Sequence, residues 1–415
     1  MASDRLFSSA ALALLALAAV IMLLTAQVPT PTVEGQAGEV DVNTLGLLWE
    51  NKDGHNATLW SVRWSPDGTM IAATFFDDTV TVFSATDGKV IVKRGAHPLG
   101  PASRCWGSKD CPVADHKPLR TSSWSPDGKY LAVGGDSTDI VIYYTSNWTE
   151  YRTLEGHRGS VLSLAWSQDG KLLASGSGTD KVDPHNMPEN EIRIWNTTSW
   201  TTDTTLKGHS DGVMNLRWSP NGTRLASASD DKTIRIWNRD TWKVEKVLAG
   251  HTLGALDVAW SPDGKTLASG SRDYKVMTWD YDTGKPLARL TEANCVRSVD
   301  FHPTGSFYAN SGVDEVQLKV RDTKTGSVLK TFTEGITTKS DIMSSRWSPD
   351  GKFLAAGAGK EHALRVYSFG HSGGVDSGKQ IKKDLPGLMA FSVVVAVAIM
   401  LLYYPIARRL KEGGR

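Results

Sequence analysis

Three short stretches carry residue types that could do chemistry. Gly208-His209-Ser210-Asp211-Gly212 fits G-x-S-x-G, the strand-to-helix elbow that presents a serine nucleophile in α/β hydrolases. Asp180, Asp183, His185, Glu189 and Glu191 crowd one segment and could offer ligands to a divalent cation. Residues 373–379, glycine-rich and ending on Lys379, approximate a loop that cradles phosphate. Each stretch fails on its context. The Gly-His of the elbow look-alike returns at Gly156-His157 and Gly250-His251, where no serine follows directly, so it reads as punctuation of a repeat. The acidic segment lacks metal-ligand spacing and reads as a solvated loop. Gln380 stands where a phosphate loop needs Ser or Thr. The sequence therefore assigns no catalytic, cofactor-binding or metal-binding residue.

The elements that would position such groups follow from a ruler in the chain. A turn of the type Trp-Ser-Pro-Asp/Asn-Gly places its aromatic at Trp64, Trp124, Trp166, Trp218, Trp260, Phe301 and Trp347. The spacings are 60, 42, 52, 42, 41 and 46 residues, a base period of about 41–42 with two large insertions. Each unit contains short, alternating, β-branched and aromatic runs such as Ile234-Arg235-Ile236-Trp237, separated by Pro/Gly turns. The composition agrees with a globular protein. With 415 residues, a net charge of +1 and 40% hydrophobic content, the chain is neither disordered nor a nucleic-acid binder by charge.

Seven registered units with Gly-His openings and Trp-Asn or Trp-Asp closings resemble the WD-repeat β-propeller family, over residues 44–368. The resemblance implies an all-β, seven-bladed propeller, closed by an N-terminal strand borrowed as the outermost strand of the last blade. It also implies buried tetrads of His209, Ser227, Asp231 and Trp237, and of His251, Ser269, Asp273 and Trp279. Their role would be structural, since buried polar groups must be paired. The other blades depart from the pattern: Phe83, Tyr143, Val320 and Tyr367 stand for the closing Trp, and Glu292-Ala293 stands for Gly-His in blade six.

The two insertions, between Gly95 and Leu119 and between Gly178 and Asn190, emerge on one face by the family's strand order. Insertions on one face of a repeat protein mark a binding surface. Phe76, Trp106, Arg158, His185 and Arg272 are the candidate partner-binding residues there.

Outside the propeller, residues 6–24 and 385–407 carry no charge and are long enough to span a bilayer. The chain thus divides into a transmembrane signal anchor (1–26), a linker (27–43), the propeller (44–368), a second linker (369–384), a C-terminal transmembrane helix (385–407) and a basic tail (408–415). Arg5, Arg408, Arg409, Lys411 and Arg415 favour cytoplasmic termini and an extracytoplasmic propeller. A disulfide between Cys105 and Cys111 and glycosylation at Asn56, Asn147, Asn196 and Asn221 would fit that placement. The expected function is a non-enzymatic, membrane-anchored interaction scaffold with protein partners on the inserted face, a lipid bilayer around its two helices, and no nucleic acid. Two alternatives are a cytosol-facing, membrane-tethered propeller regulating a small GTPase and a hydrolase built on Ser210.

Overall fold

Each Ser-Pro-Asp/Asn-Gly turn does the same local work. In the computed structural model of the chain, which describes residues 41–52, 57–95, 117–178, 189–313, 318–332 and 341–370, the turn glycines sit at φ between 68° and 74°. That left-handed backbone favours glycine. The serine hydroxyl donates to the Asp or Asn two residues on, as Ser219 Oγ does to Asn221 Oδ1 at 2.8 Å, and accepts the N–H that starts the next strand. Tight turns of this kind return the chain antiparallel, and the described residues form seven four-stranded sheets.

Six sheets are continuous in sequence, and their innermost strands are Leu59–Trp64, Leu119–Trp124, Ser160–Trp166, Val213–Trp218, Ala255–Trp260 and Val296–Phe301. The seventh is composite: Ile342–Trp347, Phe353–Ala358 and Ala363–Ser368 are completed on the outside by Gly46–Asn51. Pairing the two ends of the repeat array in one sheet joins the last blade to the start of the chain and covers Ala363–Ser368, which would otherwise be the edge of a three-stranded sheet. Trp49 of that strand donates from Nε1 to the Ala85 carbonyl of blade 1. Arg365, fully buried in blade 7, pairs with Glu50 of the same strand at 2.7 Å and with Glu361.

The turn aromatics also hold neighbouring blades together. Trp124, Trp218 and Trp260 donate from Nε1 to the backbone carbonyls of Arg63, Ala165 and Arg217 in the preceding blade, and Trp64 donates to Arg346 O, which joins blade 1 to blade 7. Around these bonds, apolar side chains from adjacent sheets interdigitate. Leu59, Val62 and Ile71 of blade 1, for example, pack with Leu364 and Val366 of blade 7. The core is therefore a set of seven inter-blade layers, consistent with burial carrying most of the stability.

One expectation is corrected here, and two others fall outside the described residues. In blade 6, strand register pairs Tyr308 with Arg321, as Leu225 pairs with Trp237, so Arg321 and not Val320 occupies the closing-Trp position. The expected flanking helices, 1–26 and 385–407, lie outside the described residues, among which no helix is long and apolar enough to cross a membrane. Cys105 and Cys111 also lie outside them. No disulfide occurs among the described residues, where Cys295 is a free thiol.

Candidate functional site

One irregularity recurs in all seven blades. The innermost strand steps two residues while its neighbour steps one, always at the fourth residue before the turn aromatic. Such a bulge bends the strand and re-aims the extra side chain. The re-aimed residues are Trp60, Arg120 and Arg297, with the aliphatic Leu162, Met214, Leu256 and Met343, and all seven line one cavity on the propeller axis. The tight turns of the middle strands add Asp230 and Arg272 at the same mouth.

The mouth is built from stacked cations and aromatics. The Arg120 guanidinium lies 4.4 Å from the Trp60 ring centroid and 5.3 Å from that of Phe76, and Arg297 lies 5.3 Å from Trp60. Trp60 and Phe76 are 6.2 Å apart. Arg120 is bidentate to Asp136, and Arg272 is bidentate to Asp230, at 2.9–3.2 Å. Cation–π stacking and forked ion pairs fix long side chains that would otherwise lose entropy on binding. The Arg272 N–H donates to the Gly254 carbonyl, and Leu253 and Tyr274, close to these two in the chain, are exposed at 48% and 47%.

Of the residues expected on this face, the structure brings Phe76 and Arg272 to the mouth. Arg158 is tied through its backbone N–H to Glu189, and its side chain lines a separate depression with His209. Trp106 and His185 lie outside the described residues. Trp60, Arg120, Arg297 and Asp230 escaped the sequence reading. Aligning the seven inner strands on the turn aromatic would have shown the first three in a single column.

Three of the buried histidines form equivalent networks. In blade 4, His209 Nδ1 is 2.7 Å from Asp231 Oδ2, His209 Nε2 is 2.7 Å from Ser227 Oγ, and Trp237 Nε1 donates to the same Oγ at 2.8 Å. His251, Asp273, Ser269 and Trp279 repeat this at 2.8–3.0 Å. The geometry fixes the tautomer: Nδ1–H donates to the carboxylate while Nε2 accepts from the hydroxyl. Blade 3 has a third network, with His157, Ser175, Trp195 and, in the carboxylate role, Glu189. Burial holds His157 and His251 below the ordinary imidazole value. Burial works against ionisation of Glu189, yet His157 and the Arg158 N–H outweigh it and hold the carboxyl well below its ordinary range.

Blade 6 replaces the network with charges. Glu292 Oε1 accepts from Asn310 at 3.0 Å and Arg321 at 2.6 Å, and Oε2 accepts from Lys319 at 2.5 Å. Burial raises Glu292, but the two cations more than offset it and hold the group below its ordinary value.

The tempting chemistry dissolves in this geometry. Ser210 sits in a loop leading into the strand Val213–Trp218, not on an elbow leading into a helix, and its N–H donates to Asp231. Glu189 is occupied by His157 and Arg193, and Glu191 pairs with Lys207 at 2.8 Å. Asp180, Asp183 and His185 are outside the described residues, among which no group of three or more acidic, His or Cys side chains could hold a metal ion. The side-chain oxygens of Asn147, Asn196 and Asn221 cap their own turns, accepting N–H groups two residues on, while Asn56 lies outside the described residues.

Comparison with known proteins agrees with this architecture. The family described as "WD domain, G-beta repeat" matches residues 48–84, 111–143, 148–196, 200–238, 242–280 and 326–368, more than half of the chain. The chain is 28% identical over 199 residues to Protein hir1 of Schizosaccharomyces pombe, covering 43% of this chain and 20% of that protein. It is 30% identical over 209 residues to Protein transport protein sec13 of Aspergillus clavatus, covering 45% and 66%. It is 34% identical over 113 residues to the Anaphase-promoting complex subunit cdc20 of Dictyostelium discoideum, covering 27% and 20%. In each case it spans less than two thirds of the relative's length. The expected placement, in a membrane with the propeller outside the cytoplasm, is corrected by these findings. The matched relatives are named for protein transport and for a subunit of the anaphase-promoting complex, and no described helix is long and apolar enough to cross a bilayer.

Proposed function

The chain belongs to the WD domain, G-beta repeat family, and from that premise we propose that it is a non-enzymatic interaction scaffold whose protein partner docks on the channel mouth. The observation that carries the reading is Trp60, stacked with the guanidiniums of both Arg120 and Arg297 at the rim of that mouth. Immobilised Trp and Arg on a concave, partly apolar surface are the residue types that dominate binding energy at interfaces. Methionines 214 and 343 beside them adapt to the shape of a guest. The fitting partner segment carries an apolar anchor for Trp60 and Phe76 flanked by acidic residues for the guanidiniums. The His–Ser–Asp/Glu–Trp networks serve this function only by holding the blades in register, and Phe76 and Arg272 belong to the docking surface.

The test is photo-crosslinking from position 214 at the mouth, compared with position 91 on the exposed outer strand of blade 1, in the full-length chain. A partner captured from position 214 and lost in Trp60→Ala, but retained in Ile91→Ala, supports the reading. Capture that maps to position 91 and is indifferent to Trp60→Ala refutes it.

A further inference from the structure

Below the mouth, the third residue before each turn aromatic forms a second ring. Ser61, Thr121, Asn215, Asp257 and Ser344 of this ring line the cavity, whose volume is about 210 Å³. Ser61 Oγ, Thr121 Oγ1, Asn215 Oδ1 and Ser344 Oγ have no hydrogen-bond partner among the described residues, although each of the four residues is at least 94% buried. Buried polar atoms are ordinarily satisfied, so four such atoms in one ring point to a polar occupant.

Charge says what kind. Five guanidiniums but only two carboxylates line the cavity. Arg272 pairs with Asp230, Arg346 with Asp257 at 2.8 Å, and Arg120 with Asp136, which stands outside the lining. Arg63 and Arg297 are left with no carboxylate in ion-pair range among the described residues. Among the described residues Arg63 donates only to the Val62 carbonyl, and Arg297 rests against Trp60. Arg217 and Asp300 share Arg63's level, the residue just before the turn aromatic. Burial, followed by the facing guanidiniums, lowers Arg63 well below its ordinary value and lowers Arg217 to about 10. Asp257 and Asp300 offset part of this, and burial pushes the Asp300 carboxyl itself up. Water could satisfy the hydroxyls, but it would leave the surplus positive charge in place.

We propose that the channel binds one phosphate-sized oxyanion, received by the Arg63 guanidinium and by the hydroxyl and amide donors of Ser61, Thr121, Asn215 and Ser344. A tetrahedral oxyanion accepts from a guanidinium fork and from hydroxyls at once. The Asn215 amide turns its NH2 inward for the purpose, an orientation set by the hydrogen-bond network. The cavity holds several times the volume of one water, so the ion fits with part of its hydration. This site lies below the mouth and is independent of the docking proposed there.

The test is calorimetric titration of inorganic phosphate into the full chain in chloride buffer of matched ionic strength, with thermal melts in parallel. Saturable one-to-one binding is expected, with a melting temperature raised by roughly 2–4 °C at phosphate well above its Kd. Arg63→Gln should weaken binding by roughly tenfold or more while melting no lower than the parent in chloride, since it removes a repelling charge. Ser344→Ala should weaken binding less, and Ile91→Ala, on the exposed outer strand of blade 1, should leave it unchanged. An absence of saturable heat in the parent chain overturns the proposal, including the case in which only a partner's acidic side chain enters the channel. Binding of equal strength in Arg63→Gln also overturns it, as an adventitious ion only.

Discussion

Replacing Glu189 by alanine is the sharpest test of the inner architecture, because one carboxylate holds four donors. His157 Nδ1 lies at 3.1 Å, the Arg158 and Gly159 N–H groups at 2.5 and 3.3 Å, and Arg193 Nη2 at 3.1 Å. The Glu189 residue is 7% exposed. A hydrogen bond to a charged group contributes about 1.5–3 kcal/mol, and breaking a buried pair costs about 3–5 kcal/mol because the partner stays behind. The four contacts do not add, since water can reach part of the space that the truncation opens. A loss of about 3–4 kcal/mol follows. For a domain of this size that corresponds to a fall of roughly 4–6 °C in melting temperature by calorimetry. Glu191→Ala is the matched control: its lysine partner is 75% exposed, so the pair contributes under about 1 kcal/mol. Should Glu189→Ala melt within about 2 °C of Glu191→Ala, Glu189 would be no more than a surface residue of the insertion, and the assignment of a third network would be wrong.

Two further perturbations read other parts of the fold. His157 and His251 are held neutral, and the Glu189, Asp231 and Asp273 carboxyls are held below their ordinary values. Protons therefore bind more readily to the unfolded chain, and Asp300, shifted the other way, opposes them alone within these channel and tetrad groups. Stability should be complete above about pH 6.5, decline as the imidazoles protonate in the unfolded state, and decline again below about pH 4.5; melts that rise on acidification would contradict this. Gly88, at φ 68°, leaves no room for a Cβ, which would meet the Trp49 ring at 2.6–3.0 Å, whereas a Cβ on Gly128, at φ 71°, meets nothing within 4 Å. Gly88→Ala should thus cost about 2–4 kcal/mol against about 1–2 kcal/mol for Gly128→Ala in denaturant titrations, and equal costs would mean that Trp49 does not clamp the closing strand against blade 1.

The blades were legible in the sequence because the same physical demand recurs seven times. A turn needs its left-handed glycine, and an indole must reach the neighbouring blade, so Trp218 and Trp260 mark the period without help from tertiary structure. The legibility failed where one position does two jobs. Glu189 was read as part of an acidic loop because the carboxylate of blades 4 and 5 follows its serine by four residues, whereas an insertion separates Ser175 from Glu189. In blade 6, register assigns the closing-Trp place to Arg321 and not to Val320, and Arg321 answers the charge of Glu292. The mouth was the least legible part. Trp60 and Arg297 owe their direction to a bulge, and hydrophobic alternation carries no mark of a bulge.

Those seven bulges also separate two tasks that most folds entangle. A residue in regular strand alternation belongs to a face, so changing it disturbs whatever packs on that face. The bulged residue belongs to neither face, and each blade contributes one. The rim of the axis is therefore a set of seven replaceable positions attached to an unchanged scaffold. Under the docking proposed above, substitutions there would change which guest fits while the register of every sheet and the layers between blades stay as they are.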